Sequence, residues 1–241
     1  MIKQIVTSAT YCQSSTGEPT SVAQDQENLW LARSPARRLT AEMLRQALFA
    51  SGLLVEKIGG PSVKPYQPAG LWNIAMGNPN YDQSHGPDLY RRSLYTFWKR
   101  TVPPPSLVTF DAADRSYCTV RRQTTSTPLQ ALALLNDPQQ VEAARFAGQR
   151  MLRDGGANLE TKIQWLFQSI TGRPATGRET SVLARLYQEQ LAHFQSDGKS
   201  AEQLLQVGET KADPTIDQRE LAAATVLAQA IFNHDEAVYR R

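Results

Sequence analysis

The side chains able to do chemistry are concentrated between Tyr90 and Arg122. Arg91, Arg92, Lys99, Arg100, Arg115, Arg121 and Arg122 share that stretch with two acids, Asp111 and Asp114. Tyr90, Tyr95, Phe97, Trp98, Phe110 and Tyr117 are interleaved with them. Planar guanidinium groups fork onto carboxylate or sulfate, and aromatic faces stack on sugar rings or on the guanidinium groups themselves. Arg91, Arg92, Trp98, Arg121 and Arg122 are therefore the candidate binding residues for an anionic or glycan ligand. The same composition also suits a structural role, in which arginines stacked on rings and paired with acids knit a region poor in helix. Both readings stay open at this level.

Catalytic candidates are weaker. Two carboxylates at a suitable separation do glycosidase acid–base work, but Asp111 and Asp114, three apart, also fit a turn paired with Arg115, which is the preferred reading. His85, in Ser84-His85-Gly86-Pro87-Asp88, is the third candidate because it sits in a Gly- and Pro-rich loop just before the basic segment. His193 and His234 read as surface or capping residues, and none of the three histidines belongs to a His-Glu-x-x-His pattern. Gly-rich phosphate loops, a nucleophile elbow, a dinucleotide fingerprint and a Cys-x-x-Cys-His haem attachment are all missing from the sequence. Cys12 and Cys118 are too few for a zinc site built on cysteine pairs and are expected to be free thiols. No metal and no cofactor is expected in this chain.

The elements that must position these residues come from 241 residues, 41% hydrophobic and 20% charged, enough to bury a core. Twenty-six Lys and Arg against 23 Asp and Glu give +3, too balanced to imply nucleic acid, and no reader motif appears. No apolar run approaches the roughly 20 residues of a membrane span, and no signal peptide follows Met1. The expected fold is mainly α, with a helical bundle in the C-terminal half (127–241), an irregular, loop-rich N-terminal half (1–126) and at most a small two-stranded β-ribbon. The two portions read as one continuous domain.

In the front portion, residues 1–13 allow a short helix or strand, and 14–28 read as a loop. A helix should follow Pro35-Ala36-Arg37-Arg38, with Leu39, Met43, Leu44, Ala47 and Leu48 at helical spacing. Residues 59–88 are rich in turn formers, Gly77 and Pro79 among them, and carry Tyr66, Trp72 and Tyr81, which are expected to pack on the domain. Ser93–Trp98 is the best strand candidate, with Leu107–Phe110 as its partner in the ribbon. From Thr127 onward helix starts repeat: Thr127-Pro128, Asp137-Pro138, Asn158, Thr176 with Glu179, a short helix near 201–205, and Thr215 to Gln218.

Several words of the sequence form an ordered series. It runs from Ile5-Val6-Thr7-Ser8-Ala9-Thr10-Tyr11 through Gly59-Gly60-Pro61-Ser62-Val63 and Tyr66-Gln67-Pro68-Ala69-Gly70-Leu71-Trp72. Then come Tyr90-Arg91-Arg92-Ser93-Leu94-Tyr95-Thr96-Phe97-Trp98, Pro103-Pro104-Pro105, Phe110-Asp111-Ala112-Ala113-Asp114-Arg115, Cys118-Thr119-Val120-Arg121-Arg122-Gln123, and Thr127-Pro128-Leu129-Gln130 to Asp137-Pro138. Over nearly the whole chain this resembles the planctomycete-type domain of unknown function 1553, the C-terminal domain of large planctomycete cytochrome c proteins. The resemblance implies an extracytoplasmic (periplasmic or secreted) setting. It also implies upstream domains as partners: a haem-binding cytochrome c-like domain and a companion domain of unknown function 1549. Haem is thus expected only on a separate domain, and the family brings no catalytic residue. Cys12 stands where Arg is usual and His234 where Leu is common. The start just before Ile5 suggests a C-terminal fragment. The leading expectation is a binding or interaction module; the alternative is an enzyme acting on polysaccharide or sulfated glycan, with its site on His85 to Arg122.

Overall fold

The computed structural model describes residues 1–74 and 80–240. Gly77 and Pro79, two of the turn formers named above, lie outside the described residues.

The back of the molecule is built from helices whose starts are written locally. Helix α5 (Pro128–Asn136) opens with a capping box: Thr127 accepts the Gln130 amide, and the Gln130 side chain returns to the Thr127 amide. Asp137 caps α6 (Pro138–Asp154) by accepting the Gln139 amide at 2.9 Å. Asn158 and Thr176 do the same for α7 (Leu159–Thr171) and α8 (Gly177–Ser196), each within a capping box. Asp197 caps α9 (Gly198–Leu205) and Asp217 caps α10 (Gln218–Phe232). Every helix expected after Thr127 is present, and the chain is mainly α.

Helix α10 is the axis of this bundle. Leu221, Ala222, Ala223, Ala224, Leu227 and Ala228 are fully buried, and the helix packs on α6, α8 and α9. A helix apolar on all sides has to be enclosed by others. Its closest neighbour is α6, which offers Ala143, Ala144, Ala147 and Gly148. A Cβ placed on Gly148 would stand 3.0 Å from the Ala224 carbonyl carbon, so the two backbones approach as closely as a missing side chain allows.

The front departs from the sequence expectations in four places. Within 14–28, Pro19–Gln24 is a helix, α2, with Pro19 at its first position, where a missing N–H costs nothing. The N-terminal stretch takes the helical one of its two expected forms, α1 (Ile2–Val6), and is not among the four. The helix expected from Leu39 is shortened to a 3₁₀ turn (Met43–Arg45) and α3 (Gln46–Ser51). Distant partners hold its start extended. Arg37–Arg38 (β1) pairs antiparallel with Tyr239–Arg240 (β2), and the Leu39 amide donates to Val238 O at 2.8 Å. Ser93–Trp98 is not a strand: Ser93–Tyr95 makes a 3₁₀ turn, after which the Phe97 amide donates to Val63 O and the Val63 amide to Tyr95 O. Leu107–Phe110 is not its partner, because Pro105–Thr109 is a helix, α4, again started by proline. The expected ribbon is therefore absent, and the ladder among the described residues is the two-residue β1–β2 pair.

Candidate functional site

Without that ribbon the four arginine candidates, Arg91, Arg92, Arg121 and Arg122, have no common platform. Arg91 is buried and plugs the 57–61 loop, donating to the carbonyls of Lys57 (2.8 Å), Gly59 (2.6 Å) and Pro61 (3.3 Å). Its guanidinium carbon lies 3.8 Å from the centre of the Tyr95 ring, whose hydroxyl accepts the Gly59 amide. Arg92 and Arg122 point elsewhere, into exposed ion pairs with Glu56 (2.5 Å) and Glu42 (2.8 Å). Arg121 is exposed and pairs with no described residue. Trp98 is half-buried, with the Arg115 guanidinium 4.6 Å from its ring and its Nε1 enclosed without a described partner.

The weak catalytic candidates are placed apart. Asp111 takes positive φ and is spent on structure, accepting from Arg38 (2.5 Å) and from the Thr125 amide and hydroxyl. Gln130, which starts α5, donates to the same Thr125 hydroxyl. Among the described residues Asp114 is met only by Ser116. His85 lies outside this group, with Nδ1 2.8 Å from Glu209 Oε2 while the Gly86 amide donates to Oε1 at 2.6 Å. The Gly86 amide first, and His85 second, hold the Glu209 carboxyl below the usual carboxylate range. His85 and Asp111 share no hydrogen-bond partner among the described residues.

A polar cluster that no local pattern announced lies behind His85. Glu142 on α6 is fully buried and accepts from the Tyr90 hydroxyl (2.9 Å), the Tyr66 hydroxyl (3.2 Å) and the Thr210 amide (2.6 Å). One helical turn on, Arg145 donates to the carbonyls of Leu205, Val207 and Thr210. Burial lowers the Arg145 pKa and pushes the Tyr90 phenol up to about 12. Arg145 Nε is enclosed without a described partner, but Glu142, both phenols and the other guanidinium nitrogens are engaged, so the cluster clamps the 205–210 loop onto α6. Among the described residues no group of three or more His, Cys, Asp or Glu could hold a metal ion, and no helix is long and apolar enough to cross a membrane. Cys12 and Cys118 are free and exposed.

The feature with the shape of a binding surface is apolar. Met43 (48% exposed), Phe49 (61%) and Leu94 (81%) surround a recess of about 500 Å³ with Leu54 at its wall. Glu42, Glu56 and Arg92 line the same recess, so the Glu42–Arg122 and Glu56–Arg92 ion pairs form its border. Met43 and Phe49 also line a second apolar recess that runs between α3 and the bundle to Ile170 and Phe232.

The family model for PSD1, described as protein of unknown function (DUF1553), matches residues 1–187. The chain belongs to this family. Comparison with curated proteins and with solved structures finds no match. The PSD1 match is shorter than the near-complete span the sequence motifs suggested. It takes in the arginine segment and the apolar recess, but not Glu209 and Thr210, the partners of His85 and Glu142, nor α10.

Proposed function

We propose that this PSD1-family chain is a non-catalytic binding module, the C-terminal domain of a secreted, cytochrome c-linked multidomain protein, docking a companion domain of that protein type. The observation that carries the docking is the Met43–Phe49–Leu94 surface. Three large apolar side chains stand in water around one recess, bordered by the Glu42–Arg122 and Glu56–Arg92 pairs. An apolar centre inside a polar rim is the anatomy of a protein–protein interface. It offers a small metabolite few convergent polar groups. The motif series from Ile5 to Pro138 supports the extracytoplasmic setting and the nature of the partner.

The test is complex formation between this chain and a companion domain of the 1549 type, followed by calorimetry. Phe49→Asp and Leu94→Asp should each weaken the complex by about tenfold or more while leaving the melting temperature unchanged. No complex, or one indifferent to both changes, refutes the docking. A second reading, an enzyme acting on polysaccharide or sulfated glycan, rests on the exposed His85 imidazole oriented by Glu209, the arrangement of a general base. Release of reducing ends from such a polymer, lost in His85→Ala, would favour it over docking.

A further inference from the structure

A third concave surface is polar where the other two are apolar. Residues 67–73 and 80–83 enclose a cleft of about 430 Å³, within the size range of small-ligand sites. Gln67, Asn73, Asn80, Asp82 and Gln83 line it, together with the Tyr81 ring. None of these five amide and carboxylate side chains makes a hydrogen bond to a described residue, and Gln67 Nε2 is enclosed with no described partner. Three amides within the fold are paired: Gln130 donates to Thr109 O, Gln139 to Leu89 O, and Gln164 to Ala175 O and Thr180. Asn73, Asn80 and Asp82 are exposed and Gln67 and Gln83 half-buried, so the cleft presents five donor or acceptor side chains free to meet an outside partner, with Gln67 Nε2 the one already shut away from water.

The aromatic wall is held rigidly. The Tyr81 hydroxyl donates to Pro65 O at 2.5 Å, and its ring meets the buried Trp72 edge-on at 4.9 Å. The one charge lining the cleft is Asp82. Two cations stand over the aromatic walls, Lys99 Nζ 4.5 Å and Lys64 Nζ 5.3 Å from the ring centre of Trp72, which also lines the cleft, and Lys64 Nζ 5.8 Å from that of Tyr81. A sulfated, phosphorylated or carboxylated ligand would meet the Asp82 carboxylate inside the cleft, while the two lysines that could offset it are held over the rings and are not among the lining side chains. A purely apolar ligand would bury the amides unpaired. An uncharged polyol satisfies both conditions, since each hydroxyl donates and accepts and the C–H face of a pyranose covers an aromatic ring.

We propose that this cleft binds a neutral carbohydrate chain. The site shares no lining residue with the Met43–Leu94 surface or with the arginine segment, although Phe97 and Lys99 of that segment pack against its Trp72, and it stands whether or not the docking does.

The test titrates the full chain with cellohexaose, xylohexaose and mannohexaose, with a chondroitin sulfate hexasaccharide and a Gly-Ser decapeptide as comparators. Binding is read by calorimetry and by amide chemical shifts. At least one neutral hexaose should saturate the protein and shift the amides of residues 67–73 and 80–83. Asp82→Ala and Gln83→Ala should each weaken it by about tenfold, with the melting temperature unchanged because neither side chain bonds within the described fold. Phe49→Asp should bind the sugar as well as the parent does. Failure of all three neutral sugars to bind overturns the proposal. So does binding untouched by the two cleft variants, or tighter binding of the sulfated chain or of the peptide.

Discussion

Truncation of Arg91 to alanine separates a structural arginine from a ligand-binding one. In the structure it is 1% exposed, donates to three loop carbonyls and stacks on Tyr95. The carbonyls belong to exposed residues of the 57–61 loop and can be rehydrated, so each shorter bond is worth about 1 kcal/mol net rather than its gross strength. The ring contact adds about 0.5–1 kcal/mol and the emptied volume about 1 kcal/mol more. Removing a buried cation returns some desolvation, which keeps the total near 3 kcal/mol. With a urea slope of about 3 kcal/mol/M for a chain of this size, the midpoint should fall by about 1 M. Arg91→Lys keeps the charge but cannot fan onto three carbonyls, and should recover less than half of the loss. Arg92→Ala, which breaks only the exposed pair with Glu56, should stay within about 0.5 kcal/mol of the parent. Hydrogen exchange should quicken first between Val55 and Val63, whose amides donate to Tyr90 O and Tyr95 O beside the plug. An Arg91→Ala protein within about 1 kcal/mol of the parent would refute the plug and return Arg91 to the ligand-binding candidates.

Gly148→Val would press a branched side chain against the Ala224 backbone and should lower stability by about 1–3 kcal/mol in thermal melts; an unchanged or higher melting temperature would show that α6 and α10 are not in the close contact described. Glu179 accepts from Arg173 at 2.7 Å and from Thr176, and these hold its carboxyl down to about 2 from an ordinary 4.5. A lowered carboxylate pKa stabilises the fold fully above the ordinary value and progressively less as pH falls through the lowered one. The advantage of the parent over Glu179→Gln should therefore be constant above pH 4.5 and shrink toward nothing near pH 2. A gap that persists unchanged down to pH 2 refutes the pairing.

The back half could be read from the sequence because its instructions are local. Thr127 with Gln130, Asn158 with Thr161 and Thr176 with Glu179 each place both halves of a cap within four residues. The front half is governed by partners far along the chain. Leu39 had good helical spacing but gives its amide to Val238, and the aromatic run from Ser93 turns because Val63 takes up the pairing on either side of Thr96. Pro19 and Pro105 each stand at a first helical position and carry the same local cue that marks Pro128. Arginine enrichment pointed to the right segment but could not say which guanidinium would be buried, because the acceptors of Arg91 are backbone carbonyls, which every residue has. Glu142 was invisible for a related reason. Its partners Tyr66, Tyr90 and Thr210 come from three separate stretches, and alone among the alanines of α6 it looks like a solvated residue.

The contact between α6 and α10 also sets an order of events at the ribosome. The small-residue face of α6 is complete at Asp154, but α10 begins only at Gln218. At roughly 5–20 residues per second, several seconds pass before the covering helix has been made. During that interval the nascent chain displays Ala143, Ala144 and Ala147, with Met151 beyond them, to whatever else is in reach. Pairings this distant in sequence are slow to close. Yield in a cell should therefore respond to translation speed and chaperone supply more than the final stability of the bundle would suggest.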